Sequence, residues 1–117
     1  MMSKQFSLGK NSLIVNLSGE IDQYAAAQLK ETIDVEIENS PRKNLVFDLK
    51  EVNMMDSSGI GLIVGRYKLI SSRGGKMALC SASETVSKML KLSGIEKVIK
   101  LYPSLNDAEK SLSQKGR

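Results

Sequence analysis

Residues 6–8 and 12–17 carry apolar side chains in two short runs parted by Gly9-Lys10-Asn11, the pattern of two strands and a hairpin turn. In the second run Leu13, Val15 and Leu17 alternate with Ser12, Ile14 and Asn16. Ile14 breaks that alternation and predicts burial on both faces. Gly19-Glu20-Ile21-Asp22 closes the strand, and Asp22 is placed to cap a helix over 23–38. Ala25, Ala26, Leu29, Ile33 and Ile37 recur at the spacing of one helical face, and Asn39-Ser40-Pro41 stops it. Residues 44–49 are nearly continuously apolar, as in a central strand, whereas 50–55 reads as a connection without a clear pattern. A second helix is predicted over 58–72, with Ile60, Ile63, Val64, Tyr67 and Ile70 on one face and Arg73-Gly74-Gly75 at its end. A strand over 76–81 follows, then a helix over 84–92 capped by Ser83, with Val86, Met89 and Leu90 inward and Gly94 beyond it. Residues 98–101 read as the last strand. Pro103-Ser104 opens a final helix with Leu105, Ala108 and Leu112 on one side, its end at 114–117 frayed.

The resulting order is ββαβαβαβα, an α/β chain. Strand and helix alternate from the third strand onward, which predicts parallel strands with helical crossovers after an initial hairpin. No linker, repeat or low-complexity segment divides the chain, so residues 1–117 read as one domain.

At 117 residues a single core can form without disulfides. With no tryptophan and few other aromatics, that core must be aliphatic. One cysteine, Cys80, excludes an intrachain disulfide and points to a reducing compartment; in its strand-like run it reads as an inert core residue. There is no signal-peptide pattern, and no apolar run approaches the roughly 20 residues of a membrane helix. A cytoplasmic protein without membrane attachment is the expectation.

Charge is uneven. Up to Asp56 the chain carries −3, and from Ser57 onward +7. The later basic residues (Arg66, Lys68, Arg73, Lys76, Lys88, Lys91, Lys97, Lys100) are spread out, as on solvated helix faces. Direct nucleic-acid binding calls for a dense basic stripe or stacking aromatics, and neither is visible.

Candidate chemistry concentrates in Met55-Asp56-Ser57-Ser58-Gly59-Ile60-Gly61, between a strand and a helix start. A helix start suits a phosphate, because free amides and the helix dipole face it. Enzyme motifs fit poorly. A nucleophile elbow requires Gly-x-Ser-x-Gly, and the first glycine is replaced by Met55 or Asp56. The chain has no histidine, so a Ser-His-Asp triad cannot form. Lys50 has no Ser-x-x-Lys relation to either serine. No lysine follows Gly59 or Gly61, which excludes a phosphate-binding loop, and Val64 stands where a dinucleotide fingerprint requires its third glycine. Gly59, Gly61 and Gly65 read as close-packing positions. Asp48, Glu51 and Asp56 are too scattered for a metal site, so neither metal nor cofactor is expected. Two readings remain from spacing alone: phosphoryl acceptance by a serine, and simple helix capping by Ser57 and Ser58.

Asp56-Ser57-Ser58-Gly59-Ile60-Gly61 resembles the signature of bacterial anti-sigma factor antagonists, the STAS domain family. Leu17-Ser18-Gly19-Glu20-Ile21-Asp22, Gly65-Arg66-Tyr67-Lys68, Gly74-Gly75 and Leu92-Ser93-Gly94-Ile95 are also similar to elements of that family. Within the family, the chain resembles the sporulation-type members of spore-forming bacilli. The resemblance implies a single STAS-type domain across the chain, a mixed sheet packed with about four helices. It implies a non-enzymatic partner switch. The unmodified protein binds an anti-sigma factor that is also an ATP-dependent serine kinase, which frees the sigma factor. Phosphorylation of Ser57 blocks this, and a metal-dependent phosphatase reverses it. Asp22, Met55, Asp56, Ser58 and Gly59 are then the switch loop and docking residues, with Met54-Met55 either an adaptable contact or a core anchor. A STAS-like domain that senses a nucleotide or other ligand is the alternative.

Overall fold

Leu13, Ile14 and Val15 are all buried, so their strand lies inside a sheet covered on both faces. The computed structural model describes residues 2–113. Its elements are β1 (Ser3–Leu8), β2 (Ser12–Ile21), α1 (Gln23–Asn39), β3 (Asn44–Met55), α2 (Ser57–Ser72), β4 (Met77–Cys80), α3 (Glu84–Ser93), a 3-10 turn (Ile95–Lys97), β5 (Lys100–Tyr102) and α4 (Leu105–Leu112). The order is the predicted ββαβαβαβα, and the sheet is mixed. It runs β1-β2-β3-β4-β5, with β1 antiparallel to β2 and every other pair parallel.

Each crossover moves one place in the same direction, so α1, α2 and α3 fall on one face. There Leu29, Ile33, Phe47, Ile63, Leu79 and Leu90 meet in one cluster. α4 covers the other face, setting Ala108 and Leu112 on Ile14, Val46, Ala78 and Cys80. Glu109 ties α4 to the hairpin, accepting from the Asn11 amide at 2.9 Å and from the buried Ser12 hydroxyl.

The structure departs from the predicted elements in several places, the first being β1, which begins at Ser3 and not at Phe6 because Ser3 to Gln5 also pair with β2. β3 does not end at Leu49 but runs to Met55, and β2 runs to Ile21. Two register shifts each insert an extra β3 residue against β2. Inward positions then fall every third residue, at Leu49, Val52 and Met55, and not every second. Gly19, at the second shift, has φ +86°, a conformation open to glycine. The last strand is Lys100–Tyr102, because Gly94 ends α3 in the left-handed region and the chain turns through Ile95–Lys97 first. The inward face of α2 is Leu62, Ile63, Arg66 and Ile70, with Ile60, Val64 and Tyr67 only partly covered. Finally, of the three glycines expected to pack closely, Gly61 and Gly65 have open space beside them and Gly59 alone is a close approach. Residues 114–117, predicted to fray, lie outside the described residues.

Open space at Gly61 makes it an ordinary mid-helix glycine, with the backbone entropy cost and no packing return. Gly61→Ala is expected to stabilise the fold by about 0.5–1 kcal/mol in chemical denaturation.

Cys80 is fully buried, as its run predicted. Burial raises its thiol from 9.0 to about 11, with a smaller opposing hydrogen bond from Ser81. The native thiol should resist alkylation at pH 8 and react only as the chain opens. The sign of the pH effect follows. As pH rises from 9.0 toward 11, the unfolded chain sheds this proton and the native one holds it, so stability falls. Urea midpoints across that interval, compared with those of Cys80→Ala, check the assignment.

Candidate functional site

Ile21 and Met55 are the last paired residues of β2 and β3, and both turn inward. The chain then reverses into α1 and α2 at two aspartates. Asp22 caps α1, accepting from the Ala25 amide at 2.9 Å. Asp56 caps α2, accepting from the Ser58 amide at 2.8 Å and the Gly59 amide at 3.4 Å. The Asp56 amide donates to the Ile21 carbonyl at 3.3 Å, which locks the two helix starts side by side. Parallel strands carry both ends to the carboxyl edge of the sheet, where open α/β sheets present their sites.

The capping bonds run to Asp56, so neither serine caps α2, contrary to that reading of the spacing. Ser57 is the first helical residue and is exposed; Ser58 is half-buried behind it. The exposed Ser57 side chain takes no part in the capping bonds. Gly59 is buried against Met55 and the Ile21 carbonyl, where an added Cβ would lie 2.3 Å from Met55 Cγ and 3.1 Å from that oxygen. Met55, expected among the docking residues, is 5 % exposed and anchors the loop in the core, because the shifted register of β3 points it inward. Its neighbour Met54 is 51 % exposed and is the methionine available to a partner. Glu20, Asp22, Glu51 and Asp56 are all exposed and outnumber the exposed Lys50, which leaves this end of the molecule with an acidic rim. Tyr24, beside Asp22, stands largely in solvent.

The three carboxylates considered for a metal differ in setting: Glu51 and Asp56 are exposed, and Asp48 is not. Asp48 is buried and occupied by bonds from Asn16 Nδ2 at 3.0 Å and the Lys50 amide at 3.1 Å. Among the described residues no group of three His, Cys, Asp or Glu could hold a metal.

Arg66 is not one of the solvated basic residues among which its charge places it. It is 6 % exposed, with Nε 2.7 Å from Asp34 Oδ1 of α1. The contact is ionic and not aligned as a hydrogen bond. Nη1 donates to the Leu62 carbonyl at 3.4 Å. This pair fastens together the two helices whose starts form the site. Only the spacing hints at this, and its charge argues the other way: Arg66 follows Leu62 by four and precedes Ile70 by four, on the buried stripe.

The model of the STAS domain matches residues 5–108. The chain belongs to the STAS domain family. It is 41 % identical over 90 residues to the anti-sigma F factor antagonist of Paenibacillus polymyxa, covering 77 % of each chain. Among solved structures, an anti-sigma factor antagonist from Mycobacterium paratuberculosis superposes with a TM-score of 0.87 at 25 % identity, covering 97 % of this chain and 96 % of that one. The phosphorylated form of the Bacillus cell-fate determinant SpoIIAA shares the fold, with a TM-score of 0.70 at 24 % identity over 93 % of this chain and 98 % of that one. The relatives named anti-sigma factor antagonists support an anti-sigma factor antagonist role. Among the described residues no helix is long and apolar enough to cross a membrane.

Proposed function

We propose that this STAS domain is an anti-sigma factor antagonist switched by phosphorylation of Ser57. The observation that carries the reading is the exposed Ser57 at the first position of α2, outside the Asp56 cap and beside the capped start of α1. The unmodified protein docks this acidic end on an anti-sigma factor with serine kinase activity and thereby releases the sigma factor. Asp22, Ser58 and the exposed Met54 lie around the point of contact. Docking also presents the Ser57 hydroxyl to the kinase. Oγ attacks the γ-phosphorus of ATP, the bond to the bridging oxygen of ADP breaks, and the serine proton passes to the kinase's base. This chain contributes the acceptor and its position, not the catalysis. A metal-dependent serine phosphatase restores the hydroxyl. The protein works in the cytoplasm, with no membrane or nucleic acid of its own to bind.

Incubation with the cognate kinase and ATP should add one phosphate, mapped by mass spectrometry to Ser57. Ser57→Ala abolishes the gain and Ser58→Ala leaves it. A gain lost in Ser58→Ala and kept in Ser57→Ala would reject this site. A large thermal shift with ATP or GTP and no kinase would favour the ligand-sensing alternative.

A further inference from the structure

Along the β5 edge of the sheet lies a surface that the Ser57 switch does not use. A groove of about 320 Å³ runs between α2 and the turn before β5, with Ile60, Val64, Tyr67, Ile95 and Val98 in its walls. A second, of about 260 Å³, continues past Tyr67 and Val98 to Lys76, Lys100 and Tyr102. The shared residues make the two one trough.

Its charge is one-sided. Lys68 lines the first groove and Lys76 and Lys100 the second, and no carboxylate lines either. Glu96, in the adjoining 3-10 turn, is half-buried. Both ion pairs found among the described residues are made by Asp34, so these three exposed lysines are not held by carboxylates there. The apolar side of the trough is also presented to solvent. Val98 sits in αR conformation between the turn and β5, 58 % exposed, with buried Ile95 and Ile99 beneath it. An apolar floor with unpaired cations at its rim is complementary to an acidic chain bearing apolar side chains.

We propose that this trough docks an acidic polypeptide segment of another protein, seating its aliphatic side chains against Val64, Ile95 and Val98 and its carboxylates on Lys68, Lys76 and Lys100. The aliphatic floor favours polypeptide over nucleic acid, whose bases would require exposed aromatic faces; Tyr67 and Tyr102 are both half-buried. The surface is opposite in sign to the acidic rim at Ser57 and stands independently of the function assigned there.

Amide NMR titration of the whole chain tests this with four probes: a short Glu/Leu peptide, a Lys/Leu peptide of the same length, oligoglutamate and oligothymidylate. The Glu/Leu peptide should shift Val64, Tyr67, Val98 and Lys100 and leave Ser57 unmoved. Lys68→Glu with Lys100→Glu, and separately Val98→Ser, should each weaken it about tenfold, the order expected for lost charge pairing or one lost apolar contact. These positions are exposed, so the variants keep the fold, as their own spectra will report. Oligoglutamate should bind more weakly than the Glu/Leu peptide. The proposal is overturned by no shifts, by equal shifts with the Lys/Leu peptide, by tighter binding of oligothymidylate, or by shifts at these residues from protein concentration alone.

Discussion

Ser57→Asp lowers affinity for the anti-sigma partner by about 30- to several-thousand-fold, and its circular dichroism spectrum stays that of the parent. Two sets of forces act on a negative group at Ser57. Within the chain, the α2 start stabilises it by about 0.3–1 kcal/mol and the neighbouring Asp56 opposes it by a similar amount. Asp56 already satisfies the Ser58 and Gly59 amides, so an added group at Ser57 is not drawn into the cap and the loop keeps its shape. Across an interface the balance differs. An added charge must be desolvated, and one left without a partner costs about 2–5 kcal/mol, which gives the stated range in affinity. The effect therefore falls on the complex and not on the fold. Calorimetric titration of the variant measures it. A variant that binds as tightly as the parent, or that loses its folded spectrum, would contradict this division of forces.

Gly75→Ala destabilises the protein by about 3 kcal/mol, the upper part of the range for overpacking. Gly75 follows α2 in a tight termination. Its amide donates to the Ile70 carbonyl at 2.9 Å, and the Gly74 amide to the Ser71 carbonyl at 3.0 Å, with Gly74 at φ +80°. A Cβ on Gly75 would stand 1.9 Å from the Lys43 carbonyl oxygen, a backbone atom leading into β3. No rotamer change relieves such a contact, so α2 or the entry to β3 must move. At roughly 4 °C per kcal/mol for a domain of this size, the melting temperature drops by about 12 °C. Gly61→Ala, within α2 and with nothing near it, is the internal control and moves the other way. A Gly75→Ala protein that melts within a degree or two of the parent would show that the helix end is not held as described.

The element order was legible because α1, α3 and α4 each carry a polar cap before a helical apolar stripe: Asp22, Ser83 and Ser104 all accept the expected amide. The same local reading failed where tertiary register intervened. The apolar positions of β3 after Leu49 have a period of three, which matches neither a regular strand nor a helix, and only pairing with the bulged β2 reveals it as strand. The inward turn of Met55 depends on those shifts, which is why Met54 and Met55 could not be told apart as contact or core anchor. Arg66 was hidden for another reason: its charge argued for solvent, and the compensating Asp34 lies on a different helix. Asp56 and the two serines were recognised as a helix start, but spacing could not say which side chain caps. Geometry resolves it, because Asp56 is followed by the amides it binds and Ser57 lies within the first turn.

The most direct test starts from a purified complex of the cognate anti-sigma factor with its sigma factor. Unmodified protein, and the same protein carrying one phosphate on Ser57, are titrated into it while free sigma factor is measured. The unmodified protein should displace the sigma factor and the phosphorylated one should not, with displacement restored after dephosphorylation. Equal displacement by both forms, or none by the unmodified protein, would contradict a Ser57-controlled antagonist.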